Sequence, residues 1–161
     1  MIKIVPFDPS FCDLIIELIL AIQRNEFGIE ITAADQPDLA NISEFYQKGT
    51  GNFWVALEAE TLVGTISLLD IGNNQVALRK MFVKKEYRGA PHNIAGLLLQ
   101  TALSWAREQG VATIYLGTTP KFLAAHRFYE KNGFDLIPKE SLPSAFPIMK
   151  VDTRFYFFNC R

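Results

Sequence analysis

Apolar positions along this chain change their spacing several times, and each change marks an element. Residues 2–7 are short and apolar-rich and read as an opening strand. Asp8-Pro9-Ser10 then punctuates the chain, placing a capping carboxylate or hydroxyl beside an early proline. Phe11, Leu14, Ile15, Leu18 and Ile22 recur at helical spacing, which predicts an amphipathic helix over residues 10–23. A polar loop with Asn25, Glu26, Phe27 and Gly28 follows. A second helix starts at Asp35-Gln36-Pro37 and presents Leu39, Ile42, Phe45 and Tyr46 on one face.

The period then shortens. Residues 53–57 and 62–69 are rich in β-branched and aromatic side chains and form a hairpin across a short polar turn. Gly72-Asn73-Asn74 makes a second turn, and residues 75–83 form a third strand ending Met81-Phe82-Val83. Helical spacing returns over residues 94–109, stopped by Gly110. Residues 113–116 are a compact buried strand. Thr119-Pro120 reads as an N-cap and first-turn proline for a last helix, with Phe122, Ala125, Phe128 and Tyr129 on one face and Asn132-Gly133 at its end. Residues 134–137 and 151–158 supply two closing strands, joined by a proline-bearing loop. The order is β-α-α-β-β-β-α-β-α-β-β, an α/β (α+β) arrangement. The strand-helix-strand unit over residues 75–117 implies one parallel pair with a right-handed crossover. The expected sheet is mixed, mostly antiparallel, and covered by helices on both faces. No repeat or linker interrupts it, so residues 1–161 read as one domain.

Composition narrows the function. Of 161 residues, 49% are hydrophobic and 20% charged, as in an ordinary globular protein, and the net charge of −1 provides no broad basic face for nucleic acid. Cys12 and Cys160 make neither a disulfide framework nor a metal cluster, so no metal is expected. The apolar run over residues 14–22 is broken by Glu17 and too short for a bilayer, and the first residues lack the pattern of a signal peptide. A cytoplasmic protein without membrane or nucleic-acid partners is the expectation.

Candidate chemistry lies in residues 80–95, where a strand feeds a basic, glycine-containing turn that opens a helix. Free N–H groups and the positive end of that helix suit a pyrophosphate, and Arg88 with Lys84 or Lys85 adds charge. Residues 125–134, Ala-His-Arg-Phe-Tyr-Glu-Lys-Asn-Gly-Phe, are by themselves a helix with an aromatic face and an Asn-Gly stop. Taken with Phe-Trp-Val-Ala at 53–56, Leu-Val-Gly-Thr-Ile at 62–66, Met-Phe-Val at 81–83 and Tyr-Arg-Gly at 87–89, they form an ordered set. That set resembles the GNAT superfamily of N-acetyltransferases along nearly the whole chain.

The resemblance implies a V-shaped slot where the third strand and the next parallel strand splay apart. The pantetheine arm of acetyl-CoA, the implied co-substrate, would lie along the backbone of Met81, Phe82 and Val83. Its pyrophosphate would rest on the loop at 88–95, against Arg88, Gly89, Asn93, Ile94 and Ala95. The loop departs from the family pattern: Ala90-Pro91-His92-Asn93 lengthens it, and Asn93 aligns with the second glycine. The tyrosine that donates a proton to the departing thiolate in relatives corresponds to Tyr129. Relatives often carry a glutamate base on the strand at 75–83; none is present, and Glu26 is the substitute expected from the loop bordering the acceptor cleft. Phe122 stands where relatives often have asparagine. His126 and His92 read as solvated. Arg79 and Lys80 alternate across the strand, and whichever faces the acceptor suits a carboxylate on it. The implied activity is acetyl transfer to a primary amine of a small molecule or peptide, with a homodimer possible through exposed strand edges. The alternative on the same fold is an acyl-CoA-binding sensor without turnover.

Overall fold

The computed structural model describes residues 1–160. Among these, strands β1 (Ile2–Pro6), β2 (Asn52–Glu58), β3 (Thr61–Gly72), β4 (Gln75–Val83), β5 (Thr113–Thr118), β6 (Asp135–Leu136) and β7 (Arg154–Asn159) form one sheet in the order β1-β2-β3-β4-β5-β7-β6. Neighbours run antiparallel except β4 and β5, which are parallel and joined through helix α3 (Ile94–Glu108). Asn73 and Asn74, at φ 54° and 58°, make the two-residue turn between β3 and β4, a geometry that asparagine tolerates and that matches strand twist.

The first helical region is α1 (Cys12–Leu20), entered through a 3-10 turn at Pro9–Phe11 whose Ser10 N–H donates to the Asp8 carboxylate at 3.0 Å. It continues as a π-helical segment over Ala21–Glu26. Asn25 and Glu26 therefore belong to the helix end, where the sequence suggests a loop. The second predicted helix is split into a 3-10 turn at Pro37–Ala40 and α2 (Ile42–Tyr46). Asn41 causes the break: its side chain donates to the Pro37 carbonyl at 3.2 Å, and its backbone leaves the helical region at φ −137°.

The last helix, α4 (Leu123–Lys131), starts later than Thr119-Pro120 implies. Thr119 closes a turn instead, its carbonyl accepting the Phe122 N–H at 3.2 Å. The same carbonyl lies 3.0 Å from His126 Nε2, so that nitrogen carries the proton and donates. His126 is buried, contrary to its expected solvation, because it is the internal tie between the turn and the helix.

Helices cover both faces of the sheet. Leu98, Leu99 and Ala102 of α3 pack with Val63, Ile66 and Val76, and Tyr129 of α4 joins the same core. On the opposite face Ile15, Ile19, Ile42 and Tyr46 pack against Phe53 and Val55. Gly64 permits the close approach of α3: a Cβ there would lie 3.0 Å from Leu98 Cδ1 and 3.1 Å from the Phe82 carbonyl.

Candidate active site

β4 and β5 share only the pairs Gln75↔Thr113, Val76↔Ile114 and Ala77↔Tyr115. Beyond them β5 stays with β7 while β4 stays with β3, so a wedge opens between the parallel strands. A bulge in β4 follows beyond the last shared pair. The register slips between Thr65↔Phe82 and Ser67↔Arg79, and Lys80 takes φ 56°. Two buried hydroxyls hold the bulge: Thr65 Oγ1 donates to the Lys80 carbonyl and Ser67 Oγ to the Arg79 carbonyl, each at 2.6 Å.

The bulge also corrects the expected alternation of Arg79 and Lys80. Both side chains turn to the same side, Lys80 toward the 3-10 turn at Pro37–Ala40 and Arg79 toward α2. Lys80 Nζ reaches Gln36 Oε1 at 2.6 Å and Asp38 at 3.6 Å, while the Arg79 guanidinium lies 5.5 Å and 5.9 Å from the ring centres of Phe45 and Tyr46.

Two cavities meet at the wedge. The larger, about 420 Å³, runs along Met81, Phe82 and Val83 toward Arg88 and Ala95. The smaller, about 130 Å³, lies toward Arg79, Lys80 and Asp152. Met81, Phe82, Phe122, Ala125 and Tyr129 line both. Tyr129 thus stands at the junction, only 5% exposed, and burial drives its pKa well above that of a free phenol. The Phe122 ring forms the aromatic part of the partition, edge-on to Phe27 at 4.8 Å and to Phe82 at 6.2 Å.

The larger cavity gathers most of the sequence-selected cofactor residues. Gly89 has φ 73° and Asn93 is left-handed at φ 50°, ψ 40°, the backbone that its alignment with a glycine demands. Asn93 is the N-cap of α3, with its side chain folded over Gly96. Ile94 follows with its side chain in the core, so only its backbone is available to a ligand. Arg88 is already engaged: Nε donates to the Val83 carbonyl at 2.9 Å, and Nη2 to Glu26 Oε1 at 2.7 Å in a two-pronged pair that Nη1 completes with Oε2.

That pair moves Glu26 away from its expected place. Its carboxylate faces Arg88 at the rim rather than the smaller cavity, because the π-helical segment carries it toward the loop after β4. The Arg88 hydrogen bond holds its pKa below the usual glutamate value, the wrong direction for a base working near neutrality.

A different carboxylate borders the junction. Asp152, from the loop before β7, lies over β5, and a Cβ on Gly117 would sit 2.6 Å from its Oδ2. Burial pushes its pKa up to about 6, against the pull of Arg79 and Lys80. The neighbouring cation moves the other way, burial lowering the Lys80 pKa to about 8 although Asp38 opposes it. Gln36 Oε1 accepts from both Lys80 Nζ and Gln23 Nε2, and Tyr46 donates to Asp38 at 2.6 Å, which completes a buried polar network beneath the cavity. No periodic signal points to Asp152, since it sits in an irregular loop far along the chain. Among the described residues no cluster of three potential metal ligands occurs.

A sheet forked between parallel strands, with a compartment on each side of one tyrosine, is the geometry of a group-transfer site. The acetyltransferase (GNAT) family model matches residues 16–134. A GNAT-family acetyltransferase from Staphylococcus aureus Mu50 has a structure similar over 100% of both chains, with a TM-score of 0.96 and 44% identity. The PaiA N-acetyltransferase of Thermoplasma acidophilum, solved in complex with coenzyme A, shares the fold at a TM-score of 0.75 and 19% identity, over 99% of each chain. N-acetylaspartate synthetase of Xenopus tropicalis is 37% identical over 108 residues, 65% of this chain but only 38% of that protein's length. This chain belongs to the acetyltransferase (GNAT) family.

Proposed function

We propose that this protein is an acetyl-CoA-dependent N-acetyltransferase that moves an acetyl group directly onto a primary amine. The observation that carries the reading is the meeting of two cavities at Tyr129. Family membership and the coenzyme A complex of the PaiA relative support the choice of donor. The residues present fit that donor. Beyond the bulge, β4 is not paired with β5, so the backbone of Met81, Phe82 and Val83 borders the slot. The left-handed Asn93 and the start of α3 suit a diphosphate.

Acetyl-CoA supplies the activated acetyl group as a thioester. The amine enters from the smaller cavity and must be neutral to attack. Asp152, ionised above about pH 6, takes up its proton directly or through water. The Tyr129 hydroxyl, neutral throughout the useful pH range, donates a proton to the thiolate as the C–S bond breaks and recovers one from solvent. The phenylalanines around the junction keep bulk water from competing.

The test is titration calorimetry with acetyl-CoA and CoA, followed by thiol release with a panel of amines. Cofactor binding with amine-dependent thiol release is the expected result. Binding without release from any amine points to the acyl-CoA sensor instead, and no binding at millimolar ligand removes both readings.

A further inference from the structure

We infer that the acceptor is an amino-carboxylate of the size of a free α-amino acid, its carboxylate held by Arg79 and its amine directed at Asp152. This rests on the acetyltransferase reading and deepens it.

Of the two cations among the described residues that line the smaller cavity, only Lys80 has a carboxylate within 4.0 Å. Lys80, Arg88 and Arg154 each have a carboxylate within 4.0 Å, in Asp38, Glu26 and Glu130. Arg79 lines the smaller cavity and has none among the described residues. Its contacts are the Met149 sulfur at 3.6 Å and the faces of the Phe45 and Tyr46 rings. Those contacts fix the plane of the guanidinium and leave it, among the described residues, with no carboxylate in direct contact, Asp152 acting on its charge only from beyond 4.0 Å. A half-buried guanidinium in that state favours a planar anion, and a carboxylate meets its fork with two hydrogen bonds.

Asp152 supplies the opposite charge on the β5 side of the same cavity, next to Gly117. One wall therefore carries a cation with no carboxylate in direct contact, and another carries a carboxylate next to the junction with the thioester slot. A molecule bearing an amine and a carboxylate a few bonds apart satisfies both. A volume of about 130 Å³ suits a compact acceptor, being well below the cavities that take drug-sized ligands. A polyamine or a protein lysine brings no anion for Arg79.

The test compares thiol release for matched triplets: each amino acid, its carboxamide and the corresponding decarboxylated amine. The same assays are run on Arg79→Met and Arg79→Lys, with CoA calorimetry reporting whether each variant keeps its fold and slot. We expect the wild type to prefer the acid by roughly ten-fold or more in kcat/KM. Arg79→Met should collapse that preference toward unity, mainly through KM, and Arg79→Lys should restore part of it. Equal use of acid, amide and amine by the wild type overturns the inference. So does an equal loss for all three in Arg79→Met. Cofactor binding without turnover of any amine removes the acetyltransferase reading and this inference with it, a result distinct from turnover without acid preference.

Discussion

At the residue scale, the proposed proton transfers fall to two acids, the buried Tyr129 and the half-buried Asp152. Burial makes Tyr129 a weaker acid than a free phenol, so it remains a neutral donor wherever amines react. Tyr129→Phe should lower kcat by about two orders of magnitude while leaving CoA affinity in calorimetry nearly as it was. Asp152 moves in the opposite functional sense, toward a base that is charged at neutrality. Protonation of the amine alone gives kcat/KM a unit slope in acid. Asp152 adds a second proton below about pH 6, and Asp152→Asn should remove that extra slope along with much of the rate. The same shift predicts a stability effect. The folded pKa of about 6 exceeds the reference 3.8, so between those values the folded state binds more protons and stability falls as pH rises. Asp152→Asn should therefore stabilise the fold at pH 7 by on the order of 1–3 kcal/mol, a gain that thermal melts should find absent near pH 3.

At the element scale, the bulge of β4 governs what the site contains. Thr65 and Ser67 satisfy the carbonyls of Lys80 and Arg79, and removing either hydroxyl orphans a buried acceptor. Thr65→Val and Ser67→Ala should each cost about 1–3 kcal/mol in denaturant unfolding. Their loss of turnover should exceed their loss of CoA affinity, because the acceptor wall shifts more than the slot. The loop after β4 makes a second case. Glu26 neutralises Arg88 at the rim, so Arg88→Ala should weaken CoA more than a fragment lacking phosphates, whereas Glu26→Gln should tighten CoA a few-fold at low salt.

Most elements are legible in the sequence because burial imposes period: α1, α3 and the strands from β2 to β5 follow from apolar spacing alone. The bulge leaves one trace, the adjacent cations Arg79-Lys80 where a strand should alternate, but two polar residues in a row also fit an edge. The part of the larger cavity's wall that runs from Met81 to Ala95 is legible because one continuous segment builds it. Asp152 is not, since its position depends on a contact with Gly117, 35 residues earlier (152 − 117), which no local pattern encodes. Glu26 is misplaced from sequence for a related reason: the π-helical turn that aims it at Arg88 looks like loop composition.

At the scale of the whole molecule, the parting of β4 from β5 joins two compartments around Tyr129, and among the described residues no cysteine lines either. Both can be filled at once, so the direct transfer proposed above requires no covalent acetyl relay on the protein. The consequence is kinetic: double-reciprocal plots of initial velocity should intersect rather than run parallel, the mark of a ternary complex. Labelled CoA should likewise not exchange into acetyl-CoA until an acceptor is present.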